Sequence, residues 1–242
     1  MAEFDSIRST TQSDARVSID SGLRAHMNKV YGLMAIAMVI TGSVAWSIGT
    51  SPQLVYALFS NQIISLVIMF APLGFVFFLS AKVMKMSYAG GQLAFWLFSA
   101  LMGLSLSTIF VVYTGASIAN AFFTTAIAFG AMSLFGYTTK KDLSGMGRFL
   151  FMGVIGLIVA MIINWFTQSP GLEFAINVLG VLIFAGLTAY DTQNIKNTYL
   201  SFRSAPNGEE IAAKAGILGA LSLYINFLNM FMFLLHFMGN RE

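Results

Sequence analysis

Between Val30 and Ala81 the chain carries no ionisable side chain other than tyrosine, and the same holds from Met86 to Thr139. A water-facing surface cannot be built from such stretches, and a helix of roughly 20 apolar residues crosses a bilayer. Each run therefore holds two spanning helices and a break. Gly49-Thr50-Ser51-Pro52 supplies the first break and Thr114-Gly115-Ala116-Ser117 the second, with Gly and Pro as the expected punctuation. Further breaks at Ser169-Pro170-Gly171 and at Ser204-Ala205-Pro206-Asn207-Gly208 separate three more apolar segments. The pattern predicts an all-α membrane protein of seven transmembrane helices, at about 30–49, 60–81, 88–113, 117–137, 149–168, 174–197 and 211–238. Composition agrees. Only 10% of the residues are charged and 57% are apolar, whereas soluble domains carry about 25% charged residues.

The first 22 residues differ from the rest. Glu3, Asp5, Asp14 and Asp20 alternate with Arg8 and Arg16, a segment too long and too balanced in charge for a secretory signal. Residues 1–22 read as a flexible cytosolic tail, and 23–242 as the membrane domain. Basic residues set the orientation. The tail and first turn hold Arg8, Arg16, Arg24 and Lys29; the loop after the second span holds Lys82 and Lys85. The loop after the fourth holds Lys140, Lys141 and Arg148, and that after the sixth holds Lys196, Arg203 and Lys214. The intervening loops hold none. By the positive-inside rule the N-terminus is expected in the cytoplasm and the C-terminus outside, in a multi-pass protein of the cell (inner) membrane. Small residues at fourfold spacing, such as Ser99, Gly103 and Ser107, Gly156 with Ala160, and Gly216 with Ala220, are expected at close helix contacts.

One carboxylate stands out within the spans. Asp191 lies in Gly186-Leu187-Thr188-Ala189-Tyr190-Asp191-Thr192-Gln193 of the sixth span. An ionisable group at membrane depth is costly unless it faces protein or water, which makes it a functional candidate. The alternative is a solvated position at the headgroup boundary, near Lys196. In the seventh span Ser222, Asn226 and Asn229 follow at i, i+4 and i+7, and His236 extends the same stripe. Such a stripe either bonds neighbouring helices or lines a watered path.

Enzymatic motifs are absent, and no enzymatic activity or cofactor is expected. Without cysteine there is no thiolate chemistry, and His26 and His236 alone cannot form a multi-histidine metal site. An intramembrane aspartyl protease needs two aspartates sharing a proton, and Asp142, in the Lys140-Lys141-Asp142 loop, lacks the context. The basic residues are topological, so no nucleic-acid partner is expected; the partners are the lipid bilayer and a cation.

From Gly186 through Lys196, and in Ala220-Leu221-Ser222-Leu223-Tyr224-Ile225-Asn226-Phe227-Leu228-Asn229, the chain resembles the Bax inhibitor family, in its bacterial form. Met102-Gly103-Leu104-Ser105-Leu106-Ser107 and Lys140-Lys141-Asp142-Leu143-Ser144 support the match. The resemblance implies seven helices with the last one central within a six-helix surround. It also implies either a pH-sensitive calcium leak channel or a non-conducting regulator of stress or cell death, in some bacterial relatives linked to a membrane-bound protease. In the channel-type members an aspartate of the sixth span and one of the seventh share a proton. Asp191 matches the first, but Asn226 stands in place of the second, with Ser222 one turn before it. Asp191, Asn226, Ser222 and Asn229 are thus the expected pore and pH-sensing residues. Lys82 or Lys85 is the nearest basic residue to the family's latch. A lone carboxylate would hold calcium only weakly, since calcium takes several oxygen ligands. Calcium is therefore expected as a permeant ion, with at most weak contact at Asp191.

Overall fold

The structure is a computed structural model that describes the backbone of residues 2–202 and 205–240, with side chains from Ser21 onward. Nine α-helices and no strand occur among the described residues: α1 (Ala2–Gly49), α2 (Pro52–Phe59), α3 (Gln62–Lys82), α4 (Tyr88–Leu106), α5 (Ile109–Val112), α6 (Gly115–Thr138), α7 (Ser144–Thr167), α8 (Pro170–Phe202) and α9 (Gly208–Met238). Seven segments are long and apolar enough to cross a membrane, as the sequence predicts.

The boundaries follow from local chemistry. Asn61 Oδ1 accepts from the backbone N–H groups of Ile63 and Ile64 at 2.9 and 3.3 Å and so starts α3. Ser87 and Thr114 cap α4 and α6 in the same way, accepting from Gly90 N–H and Ser117 N–H. Gln168, at φ 47°, ends α7 in the left-handed region, and Pro170 then opens α8. Asp142 Oδ1 accepts from Ser144 N–H at 2.9 Å where α7 begins, and its bonds to Ser144 hold its carboxyl below the usual range.

Several elements depart from expectation. The third span breaks at Ser107, whose hydroxyl donates to Leu104 O at 2.8 Å and competes with the helical ladder. The short α5 then sets Phe110 against Gly49, where a Cβ would lie 2.7 Å from Phe110 Cβ. The backbone of α1 is helical from Ala2, where the sequence suggests a flexible tail. Extending a helix that is already packed adds a hydrogen bond per residue without a new nucleation cost. Packing on the bundle is visible from Leu23 through Met27, Val30, Leu33 and Ala37, a stripe at helical spacing. The sixth span also differs. It runs to Phe202 rather than about 197, so Asp191 lies eleven residues, ~16 Å, from its end. Within the span, Gln193 accepts from Leu143 N–H and donates to Lys141 O, both at 2.8 Å, and so ties down the α6–α7 loop.

The centre belongs to α9. Of its most apolar stretch 67% is buried, against 17% for the second span and 6% for the fifth. Its neighbours are α8, α1, α6 and α4, while α3 packs on α4 and α7 on α8. The six-helix surround is thus uneven, with α3 and α7 as outer flanks. Gly156 of α7 accordingly faces open space rather than the expected close contact, whereas Gly103 and Gly216 meet α1 at Thr41 and His26. At the far end of α9, Thr114 N–H donates to Asn240 O at 3.2 Å and Asn240 N–H to Ser117 Oγ at 2.9 Å. The last helix therefore traverses the bundle and ends beside the α5–α6 turn. The opposite end, bearing the lysine-rich loops, is called the basic end below.

Two further ties fix the interior. Thr41 Oγ1 lies 2.8 Å from Ser99 O, 2.9 Å from Ala37 O and 2.5 Å from Tyr224 Oη. Carbonyls only accept, so Thr41 donates to one of them and Tyr224 donates to Thr41. Between α6 and α8, a Cβ at Gly136 would lie 2.8 Å from both the Cα and the carbonyl carbon of Ala189. Backbone cannot yield there. Gly136→Val is expected to destabilise by about 1–3 kcal/mol through overpacking. Gly130→Ala, on the same helix with nothing within 4 Å, should be neutral or mildly stabilising, and thermal unfolding in detergent separates the two.

Candidate functional site

Three consecutive residues fix how α8 is turned. Ala189 abuts Gly136 of α6, and Tyr190 lies over Gly147 of α7, where a Cβ would come 2.5 Å from the ring. With those two directions occupied, Asp191 is turned toward α9. There its Oδ2 accepts a hydrogen bond from Asn226 Nδ2 at 2.7 Å. Asn226 is buried and Asp191 half-buried, so the carboxylate keeps a partner and an opening. An amide donor satisfies a carboxylate oxygen without adding charge.

Of the expected polar residues, Asp191 and Asn226 are thus bonded to each other. Ser222 stands one turn nearer the basic end and lines the same two cavities as Asp191. Asn229 is further along and separate, its Nδ2 donating to Ile225 O at 2.9 Å on its own helix. Lys82 and Lys85 are not brought to the site. Both are exposed at the end of α3, because Val83 is the residue that turns inward there, against Gly91. Neither is a latch on Asp191 in this structure. Lys196 does not neutralise Asp191 either. Its Nζ donates to Tyr137 O at 2.9 Å and lies 5.4 Å from that ring's centroid.

Three cavities follow one another along α9. One of about 180 Å³ near the basic end is lined by His26, Asn194, Thr198 and Gly219, with Asp191 and Ser222 as its inner wall. A second, of about 370 Å³ between α7, α8 and α9, takes Asp191 and Ser222 as one wall and Asn229 and Phe233 as the other. The third, of about 450 Å³, shares Asn229 and Phe233 and opens past Asn177, Glu173 and His236. Each has room for several waters. Two constrictions interrupt the series. The first is the Asp191–Asn226 pair. The second is Phe233, stacked on Phe184 with centroids 5.9 Å apart and seated on Gly180, where a Cβ would lie 2.5 Å from its ring.

His26 is the residue that the sequence reading passed over. Its ring stacks on Tyr199 at 4.7 Å and lines the small cavity with Asp191. It also lines a wider one of about 480 Å³ with Lys29, Tyr88 and Glu209. It therefore separates the mouth of the bundle from the carboxylate. Its signal was its place in the buried stripe of α1, between Leu23 and Val30. Among the described residues no three of His, Asp and Glu gather in a way that could hold a metal ion. Asp191 could offer a passing cation one carboxylate, with the Ser222 hydroxyl at the same wall.

The family model described as inhibitor of apoptosis-promoting Bax1 matches residues 23–242. The chain belongs to the Bax inhibitor family. Its relatives cover nearly its full length. The inner membrane protein YbhL of Escherichia coli is 45% identical, over 96% of this chain and 98% of that one. An uncharacterized protein of Caulobacter vibrioides is 46% identical, over 97% and 96%, and one of Rickettsia prowazekii 40% identical, over 99% of each.

In this Bax inhibitor chain the carboxylate is paired with an amide, and that pairing can be measured. A double-mutant cycle on Asp191→Ala and Asn226→Ala should return a coupling above about 0.6 kcal/mol, the mean for polar contacts between membrane helices. It could reach about 3 kcal/mol, since a charged group bonds more strongly. Additive effects on unfolding would mean that the two side chains do not meet in the membrane.

Proposed function

We propose that this protein resides in the inner membrane and permits a slow leak of cations, calcium among them, along α9 and past Asp191. The observation that carries the reading is the shared wall. Asp191 and Ser222 border both the cavity toward the basic end and the one at membrane depth. A cation at that point meets a carboxylate and a hydroxyl rather than hydrocarbon, which lowers the cost of crossing. Phe233 and the bonded Asp191–Asn226 pair narrow the path, in keeping with a leak rather than an open pore. One carboxylate binds calcium weakly, and weak binding suits passage. The printed name of the YbhL relative supports the membrane assignment.

Flux of calcium into proteoliposomes holding only the purified protein is the test. Wild type should leak without a partner, and Asp191→Asn should lower the flux several-fold and remove its dependence on pH. Two carboxylates in hydrogen-bond contact share a proton, so Asn226→Asp should give a steeper pH response than wild type between about pH 6 and 8. Silence of the wild type in liposomes, with another membrane protein co-purifying from cells, would favour the regulatory reading, in which a membrane-bound protease is the partner.

The proposed orientation places the basic end in the cytoplasm. Reporters fused at Gly145 should read cytoplasmic, and those at Thr50, at Ser117 and after Asn240 external. A cytoplasmic reading after Asn240 with the other three unchanged would contradict the threading of α9 described above.

A further inference from the structure

Away from α9, a cleft of about 540 Å³ opens between α1 and α6, larger than any cavity on the path described above. The two helices lean on α8 and α9 and meet each other at Tyr31 and Ser133; Asn28, Gly130 and Leu134 along the cleft are exposed on the outer surface of the bundle. Its lining changes with depth. Arg24 and Tyr137 lie at the basic end; Tyr31, Ser133, Gly130 and Phe129 lie deeper. From Tyr137 to Phe129, eight residues apart, the depth is ~12 Å. Gly130 leaves the deep part open, since a Cβ there would meet nothing within 4 Å.

Basic residues stand at or near the mouth on three elements, α1, α8 and the α6–α7 loop. Arg24 is exposed on α1. Lys196 of α8 is held against Tyr137 by the bond to its carbonyl, and Lys140 and Lys141 follow α6 directly. Among the described residues Asp142 is the nearby counter-charge, and it is engaged with Ser144. A basic mouth over an apolar, lipid-facing cleft fits an amphiphile with a negative head.

We propose that the cleft between α1 and α6 binds one anionic phospholipid of the leaflet next to the basic loops, phosphate at Arg24 and acyl chain over Gly130. The floor of this site connects to the candidate path. Tyr31 Oη lies 2.5 Å from Ser133 Oγ, which lies 3.0 Å from Thr192 Oγ1, and Thr192 adjoins Asp191. Lipid occupancy thus bears on how α8 presents its carboxylate. The binding itself does not depend on conduction.

Native mass spectrometry of the full chain, titrated with phosphatidylglycerol or phosphatidylcholine in detergent, tests the site. Wild type should retain one phosphatidylglycerol in preference to phosphatidylcholine. Arg24→Gln, an exposed change, should weaken phosphatidylglycerol binding about fivefold, the worth of one basic residue at a membrane surface, and leave phosphatidylcholine unaffected. Gly130→Phe, which fills the deep part, should weaken both lipids while the melting temperature stays within a few degrees. Equal retention of the two lipids by wild type would overturn the headgroup assignment. An unchanged titration with Arg24→Gln would do the same, whether or not Gly130→Phe folds. Undiminished binding to folded Gly130→Phe would place the lipid in the annulus rather than the cleft.

Discussion

The contact of α8 with α6 and α7 governs what this bundle can do. At Gly136 and Ala189 two backbones touch, and one residue on, Tyr190 fills the space over Gly147. A methyl group added to either glycine has nowhere to go. Lipid supplies no hydrophobic drive between helices, so such close approach is a main source of association in a membrane. Here it also sets direction, because with two sides of α8 taken, residue 191 is turned to α9. The bond from Asn226 and both flanking cavities depend on that rotation.

A single carboxylate among apolar helices is a liability unless its oxygens are used. Asn226 uses one of them with a neutral donor 2.7 Å away, and the cavities leave the group open to water. A second aspartate would impose a shared proton; the amide does not. Lysine is kept out, since Lys196 spends its charge on Tyr137 and the lysines after α3 face away.

The number of spans and their breaks were legible because both are one-dimensional signals, apolar length and interrupting Gly, Pro and Ser. The Asp191–Asn226 contact was legible through the family resemblance, which sets a residue of the sixth span against the position of Asn226 in the seventh. Other features were hidden by their dependence on rotation and neighbours. Gly156 and Gly136 look alike in sequence, yet one faces open space and the other touches backbone. Lys82 and Lys85 lie close to the site in topological order only, and Val83 takes the inward direction. The bonds of Gln193 to the α6–α7 loop depend on how that loop folds back, which hydropathy does not register. His26 was visible as a member of a buried stripe, but one histidine in an apolar face carries no chemistry until the cavity beside it is seen.

The helix at the centre is also the seventh of the seven spans in chain order. Six spans must be in the bilayer before α9 exists, with polar groups such as Thr41 and Asp191 waiting for partners that Tyr224 and Asn226 will later supply. Until then Thr41 has the carbonyls of Ala37 and Ser99 but no phenol, and Asp191 lacks its amide donor. The first six spans therefore lack their interior until α9 has been made, and the Asn240 bonds to Thr114 and Ser117 follow it in chain order. A ribosome halted before α9 leaves a complete set of outer helices and no interior for them to close on.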